Sequence, residues 1–132
     1  MKTDINNRED IAALVQAFYD KIRGDSVLGP IFNDMISNWE QHLEHLTTFW
    51  DCSLFMTSKR TQSYSGNPIK AHIKVDDFTK NSICEKHFGI WLNHWVQTID
   101  DMFEGDTARK AKLKASKMAT FIHIKIFEAR PN

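Results

Sequence analysis

The imidazole of His72 has the most restrictive surroundings of any group in this sequence that could do chemistry. It lies in Gly66-Asn67-Pro68-Ile69-Lys70-Ala71-His72-Ile73, where Pro68 suits the first turn of a short helix and Asn67 can cap it. Zinc would need three or four clustered ligands, and none are clustered here. A lone imidazole among apolar neighbours is instead what a five-coordinate haem iron needs. We expect a backbone carbonyl of the preceding turn to hold its second ring nitrogen.

Three further side chains leave two interpretations open. Tyr19 is either a core residue bonded to a backbone carbonyl, or a hydroxyl donor aimed at a bound diatomic molecule. The indole N–H of Trp91 poses the same alternatives. His42 shares the face of Leu46 and Phe49, because helical residues three, four and seven apart lie together. It is either a partly solvated helix-edge residue or a gate over the iron.

The remaining histidines carry less information. His45 lies toward the edge of the face that carries His42, where it could contact a haem propionate or nothing. His87, His94 and His123 are predicted to face solvent and receive no role.

Capping signals and apolar periodicity divide the first half of the chain. A helix capped by Asn6 or Asn7 ends at Gly24, and residues 28–32 predict a tight turn with a short apolar segment. Ser37 with Glu40 resembles a capping box that opens an aromatic-rich helix. A polar loop of about a dozen residues follows, from Met56 to Asn67, longer than most connections and therefore suggestive of function.

The second half predicts three helices. The His72 helix is expected to break at residues 75–77. Asn81-Ser82, with Ser82 and Glu85 as a capping box, opens what is predicted to be the longest helix, which Gly105 ends. Asp106 starts the last. No segment alternates long enough for a strand, so the sequence predicts an all-α fold with about four main helices and two or three short ones.

Composition bounds the class of protein. The 132 residues suit one domain, with a polar N-terminal tail over about residues 1–7. Basic and acidic residues both number 17, which predicts no attraction to nucleic acid or to a membrane surface. Cys52 and Cys84 are expected to be reduced, and no signal peptide or spanning segment is evident, so we expect a cytoplasmic protein. Nine Phe, four Trp and two Tyr could fill a core or wall a flat aromatic cofactor.

Five motifs in order resemble the truncated haemoglobins, most closely their third group. The motifs are Phe18-Tyr19-Asp20-Lys21-Ile22-Arg23, Leu28-Gly29-Pro30-Ile31-Phe32-Asn33, Trp39 and His42 with Phe49-Trp50, Asn67-Pro68-Ile69-Lys70-Ala71-His72, and His87-Phe88-Gly89-Ile90-Trp91-Leu92. The likeness runs from about Arg8 to Phe127. The first two groups usually carry Gly-Gly pairs, and this chain has none.

The resemblance implies a shortened globin fold, with two helices stacked over two. It implies haem b (iron protoporphyrin IX) with His72 as the ligand on the proximal side of the iron. On the opposite, distal side it places Tyr19, His42 and Trp91. The resemblance also implies Phe32 and Leu46 as pocket residues. The positions of apolar residues along the predicted helices add Phe49, Phe78, Phe88 and Ile122.

The same resemblance implies small ligands: O₂, NO, CO or peroxide. Hydrogen-bond donors around O₂ would favour slow release, which suits NO detoxification or peroxide reduction better than delivery. A separate reductase would supply electrons, since no flavin or nicotinamide motif is present. One alternative is a gas carrier or scavenger without turnover. Another is a helical interaction module that binds no haem.

Overall fold

Six helices make up the part of the chain that the computed structural model describes, residues 1–55 and 67–131. They are α1 (Arg8–Gly24), α2 (Leu28–Met35), α3 (Trp39–Phe55), α4 (Pro68–Phe78), α5 (Glu85–Met102) and α6 (Asp106–Ala129). The only strand-like pairing in those ranges is one bridge between Thr3 and Phe103. The prediction of an all-α fold is confirmed. The predicted polar loop lies outside the described residues, apart from Asn67.

Asparagine side chains fix the starts of two helices. The Asn7 carboxamide oxygen accepts the Asp10 backbone N–H at 2.9 Å, and that of Asn67 accepts the Lys70 N–H at 3.0 Å. Each bond satisfies one of the four amide groups that a helix leaves unpaired at its start. Pro68 follows Asn67 in the first turn of α4, where its missing N–H costs nothing. Both predicted caps are confirmed.

The start of α2 corrects the predicted tight turn. Leu28 is already helical, and Pro30 lies in the first turn. The carboxylate of Asp25 accepts the N–H groups of Val27 at 2.8 Å and Leu28 at 2.9 Å. The Asp25 side chain therefore caps α2 from a position before the helix. Residues 28–32 are helical and do not form the predicted tight turn.

Three other predicted boundaries are wrong. Asn38, not Ser37, caps α3, by accepting the Gln41 N–H at 3.1 Å. Helix α4 continues through residues 75–77 to Phe78. Helix α5 begins after Cys84, whose N–H is accepted by the His87 ring at 3.0 Å.

The longest helix in the described ranges is α6, not α5. It has 24 residues, and α5 has 18.

The N-terminal segment is anchored to the start of α6. Ile5 is 1% exposed, and the Asp4 carboxylate accepts the N–H groups of Thr107 at 3.0 Å and Ala108 at 2.9 Å. These bonds lower the pKa of Asp4 although burial acts to raise it. Gly105 passes close beneath with φ +138°, a backbone conformation that favours glycine.

The buried side chains form two separate clusters. In the first, helix α1 packs against α3 and α5, and Trp50 stacks on Trp95 with 4.6 Å between ring centroids. In the second, Ile122 and Ile126 of α6 meet Ile73 of α4. Helix α4 packs mainly against α6. No helix in the described ranges is long and apolar enough to cross a membrane.

Candidate functional site

His72 points one ring nitrogen at the backbone of its own helix. Its Nδ1 lies 2.6 Å from the carbonyl oxygen of Pro68, one turn earlier. A carbonyl only accepts, so Nδ1 carries the proton and Nε2 keeps its lone pair. Burial lowers the pKa of His72, against the raising effect of the Pro68 bond, and the ring is neutral at pH 7. The carbonyl acceptor expected from the sequence is confirmed.

Tyr19 and Trp91 form a hydrogen-bonded pair. Tyr19 is 6% exposed in α1, and its hydroxyl is bonded to the Trp91 side chain in α5. Indole nitrogen can only donate, so the Tyr19 oxygen accepts and its own proton remains available. Burial raises the pKa of Tyr19, and the Trp91 bond only partly offsets this rise. The phenol therefore stays protonated and can donate.

His42 is a neutral imidazole with one nitrogen unsatisfied. Its ring stands edge-on to Tyr19, with 5.4 Å between centroids, and its Nε2 is buried without a hydrogen-bond partner among the described residues. Burial, followed by the charges of His45 and His72, lowers its pKa to about 4. A buried ring nitrogen without a partner is costly, which points to a ligand that supplies one.

Trp39 completes this aromatic group and was not singled out as a site residue from the sequence. Its ring centroid lies 5.7 Å from that of Tyr19 and 5.7 Å from that of His42. The Arg23 guanidinium covers the ring at 4.4 Å, within the range of a cation–π interaction. The spacing of Trp39 and His42, three residues apart on one helix, was the available signal.

The predicted pocket residues divide between the two clusters. Phe32 lies near the aromatic group, 5.8 Å from the Tyr19 ring, and Leu46 and Phe49 pack against the first cluster. Phe88 packs against the second cluster, of which Ile122 is a buried member.

Two other predicted pocket residues are exposed. Phe78 lies at the end of α4 and is 58% exposed. His45 lies on the exposed side of α3.

All three histidines predicted to face solvent are engaged with other groups. The His87 ring accepts the Cys84 N–H at 3.0 Å. His94 is partly buried, with Nε2 2.9 Å from the Asp25 carboxylate, and this bond lowers the pKa of Asp25. The His123 ring lies 5.2 Å from that of Phe88. Simple solvent exposure was therefore the wrong expectation for all three, and the partners of His94 and His123 come from distant parts of the sequence.

The arrangement fits a planar iron-binding group between the two clusters. The neutral Nε2 of His72 belongs to α4, on the side of the second cluster. The Tyr19 hydroxyl and the unsatisfied Nε2 of His42 belong to the first. His72 lies close enough to His42 for its charge to contribute to the lowered pKa of His42. The described residues hold no group of three or more His, Cys, Asp or Glu that could bind a metal ion unaided.

Comparison with known proteins finds matches over nearly the whole chain. No protein-family model matches the chain. A group 3 truncated hemoglobin of Campylobacter jejuni is 29% identical over 124 residues, which cover 91% of each chain. The crystal structure of a group III truncated hemoglobin from the same species matches with a TM-score of 0.82 and 26% identity over the whole of both chains. The chain is therefore similar, over nearly its whole length, to group III truncated haemoglobins.

This likeness confirms the resemblance and the shortened globin fold drawn from the sequence. It implies haem as the cofactor and suggests small gaseous ligands. In this globin fold, α1 and α3 form one helical layer, and α5 and α6 form the other. The aromatic group of Tyr19, Trp39 and His42 lies on the first layer, and Trp91 reaches it from the second.

Proposed function

We propose that this chain binds haem b through Nε2 of His72 and holds a diatomic ligand on the opposite face. The observation that carries the proposal is that two neutral groups lie on opposite sides, one with each of the two clusters of buried side chains. One is the His72 imidazole, whose Nδ1 is already committed to Pro68 at 2.6 Å. The other is the buried Tyr19 hydroxyl, whose oxygen accepts from Trp91, so that its own proton can be donated to a ligand.

The haem iron, when bound, supplies a reversible site for O₂, CO, NO or peroxide. The chain's own residues set how that site behaves. The Pro68 carbonyl orients the His72 ring and raises the basicity of Nε2. The Tyr19 hydroxyl donates to a ligand's outer atom, and Trp91 strengthens that donor by polarising it. His42 stays neutral at pH 7, so one of its ring nitrogens carries a proton and the other can accept one.

Apolar side chains from both clusters are proposed to enclose the haem. Their shared role is to exclude water from both faces. The residues are Phe32, Leu46, Phe49, Phe78, Phe88 and Ile122. We keep His45 as a propionate contact, since it lies at the exposed edge of α3.

Slow ligand release favours a reaction over delivery. We propose that the chain consumes NO with O₂, or reduces peroxide. In the first case NO, O₂ and one electron give nitrate. In the second, hydrogen peroxide, two electrons and two protons give two water molecules. A separate reductase supplies the electrons in both.

The test is NO uptake by the haem-loaded protein in air with a chemical reductant and an electron mediator. Turnover predicts continuous uptake over many equivalents. Uptake that stops after one equivalent per haem would instead show a non-catalytic scavenger. A protein that takes up no haem, and so shows no Soret band after haem is added, would be a helical interaction module.

A further inference from the structure

A buried ion pair joins the end of α4 to the end of α6. The Asp76 carboxylate is 2% exposed. Arg130 binds it with two parallel contacts, Nε to Oδ2 at 3.0 Å and Nη2 to Oδ1 at 3.0 Å. Asn81 Nδ2 donates to Oδ2 at 3.0 Å, and the Ile83 N–H donates to Oδ1 at 3.1 Å. Burial acts to raise the pKa of Asp76, but these bonds outweigh it and the pKa is lowered.

The same group of residues fixes the chain as it leaves α4. Lys80 and Asn81 have φ of 60° and 62°, left-handed conformations that cost energy for residues other than glycine. The Asn81 N–H donates to the Asp76 carbonyl at 2.6 Å, and Arg130 Nη2 also donates to the Ile83 carbonyl. Asp76 is therefore held through both its side chain and its backbone.

This pair lies one helical turn from His72. Residues four apart lie on one helix face, so Pro68, His72 and Asp76 share one face of α4. Helix α4 has only 11 residues, too few to be stable alone in water. Its apolar contacts with α6, such as those of Ile73, are non-directional and tolerate rotation. A two-point contact between a carboxylate and a guanidinium is directional, and it resists rotation of the helix.

We propose that Asp76 and Arg130 are positioning residues that fix the rotation of α4 on α6, and thereby the angle at which the His72 imidazole meets the haem. The inference rests on the proposed function, in which His72 ligates the iron. Neither residue of the pair touches the haem or its ligand in this proposal. Their effect is carried by one turn of helix backbone.

The decisive variants are Arg130→Gln, which removes the charge, and Arg130→Lys, which keeps the charge but loses the planar two-point contact. Lys125→Gln is the matched control, because Lys125 lies near the same end of α6 in an exposed pair with Glu128. Each protein is loaded with haem and reduced. The iron–histidine stretching band is then recorded by resonance Raman, and haem transfer to an excess of an apoglobin acceptor is timed.

The proposal predicts that both Arg130 variants shift or broaden the iron–histidine band, with Arg130→Lys intermediate. Haem loss from Arg130→Gln should be faster by about tenfold, the lower end of effects seen for groups that orient metal ligands. Amide exchange in α4 should also accelerate in haem-free Arg130→Gln. Lys125→Gln should match the parent protein in all three measurements.

An unchanged band in Arg130→Lys and Arg130→Gln would overturn the proposal, even if unfolding became easier, because the pair would then be merely structural. If Arg130→Gln does not fold, the band of Arg130→Lys alone decides. Failure of the proposed function is distinguishable: the parent protein itself would lack an iron–histidine band.

Discussion

Replacing Tyr19 by Phe should speed the release of O₂ from the haem-loaded protein. The change removes one hydroxyl from a buried site and keeps the ring that packs edge-on against Phe18 at 4.8 Å and His42 at 5.4 Å. A hydrogen bond to a charged acceptor contributes about 1.5–3 kcal/mol. If that bond is lost on release, removing it raises the O₂ dissociation rate about ten- to a hundredfold, at about tenfold per 1.4 kcal/mol.

The bond between Tyr19 and Trp91 makes a double-mutant cycle informative. Because Trp91 donates to the Tyr19 oxygen, we expect it to act on the ligand through Tyr19. Trp91→Phe alone should then raise the rate by less than Tyr19→Phe does. In the Tyr19→Phe background, Trp91→Phe should add little, because residues that share one network are not additive.

The assay is stopped-flow mixing of the O₂-loaded protein with CO and excess dithionite, which reports O₂ release optically. The CO association rate is the control, since a ligand with little negative charge gains less from a donor. An O₂ release rate in Tyr19→Phe equal to that of the parent protein would refute the reasoning. Effects of Tyr19→Phe and Trp91→Phe that multiply would show that both donate directly.

Three further predictions follow from the charges and backbone of the described residues. His42→Leu should make the free energy of unfolding less dependent on acid pH. The folded pKa of His42 is about 4, below the usual 6.5, so the parent protein loses stability as pH falls from 6.5 toward 4. The loss due to His42 is about 1–2 kcal/mol after discounting for partial exposure. Urea unfolding at pH 7 and pH 5 tests it, and a parallel decline in both proteins would contradict it. Gly105→Ala should lower the free energy of unfolding by about 1–3 kcal/mol, because φ is +138° and the new Cβ would meet Asp4 Cγ at 2.5 Å; an unchanged melting temperature would contradict this. Asp4→Ala should lower the free energy of unfolding by about 1 kcal/mol, because two N–H groups of α6 lose their acceptor. A variant as stable as the parent protein would show that this cap does not stabilise the fold.

Local chemistry made parts of the fold predictable. The Asn7 and Asn67 caps, the Pro68 start and the carbonyl partner of His72 all lie within four residues of the group they serve. Short-range hydrogen bonds of this kind are encoded in adjacent letters. The same holds for the aromatic helix faces, since periodicity reports which side of a helix is buried.

Two of the errors came from partners far away in the chain. Asp76 looked like a helix breaker, because an acidic residue near a helix end is normally solvated and competes for the backbone. Arg130, 54 residues later, instead binds its carboxylate and lets α4 continue. His94 was predicted to face solvent because its partner is not near it in the sequence. That partner is Asp25, 69 residues earlier. Periodicity contains no information about such pairs.

The sequence predicted the His72 side of the candidate site better than the Tyr19 side. His72 could be singled out because Asn67 and Pro68 define its helix. The bond between Tyr19 and Trp91 joins α1 to α5, so the sequence could only state that each needs a partner. Trp39 was missed as a site residue because its ring is placed by Tyr19, from another helix.

The most direct test of the account is the optical spectrum of the reduced, haem-loaded protein, with His72→Gly measured beside it. The account predicts a five-coordinate ferrous spectrum that converts fully on adding CO. It predicts that His72→Gly loses or loosens its haem, and that added imidazole restores part of the parent spectrum. A His72→Gly variant that keeps the parent ferrous spectrum without imidazole would contradict the assignment of His72 as the iron ligand.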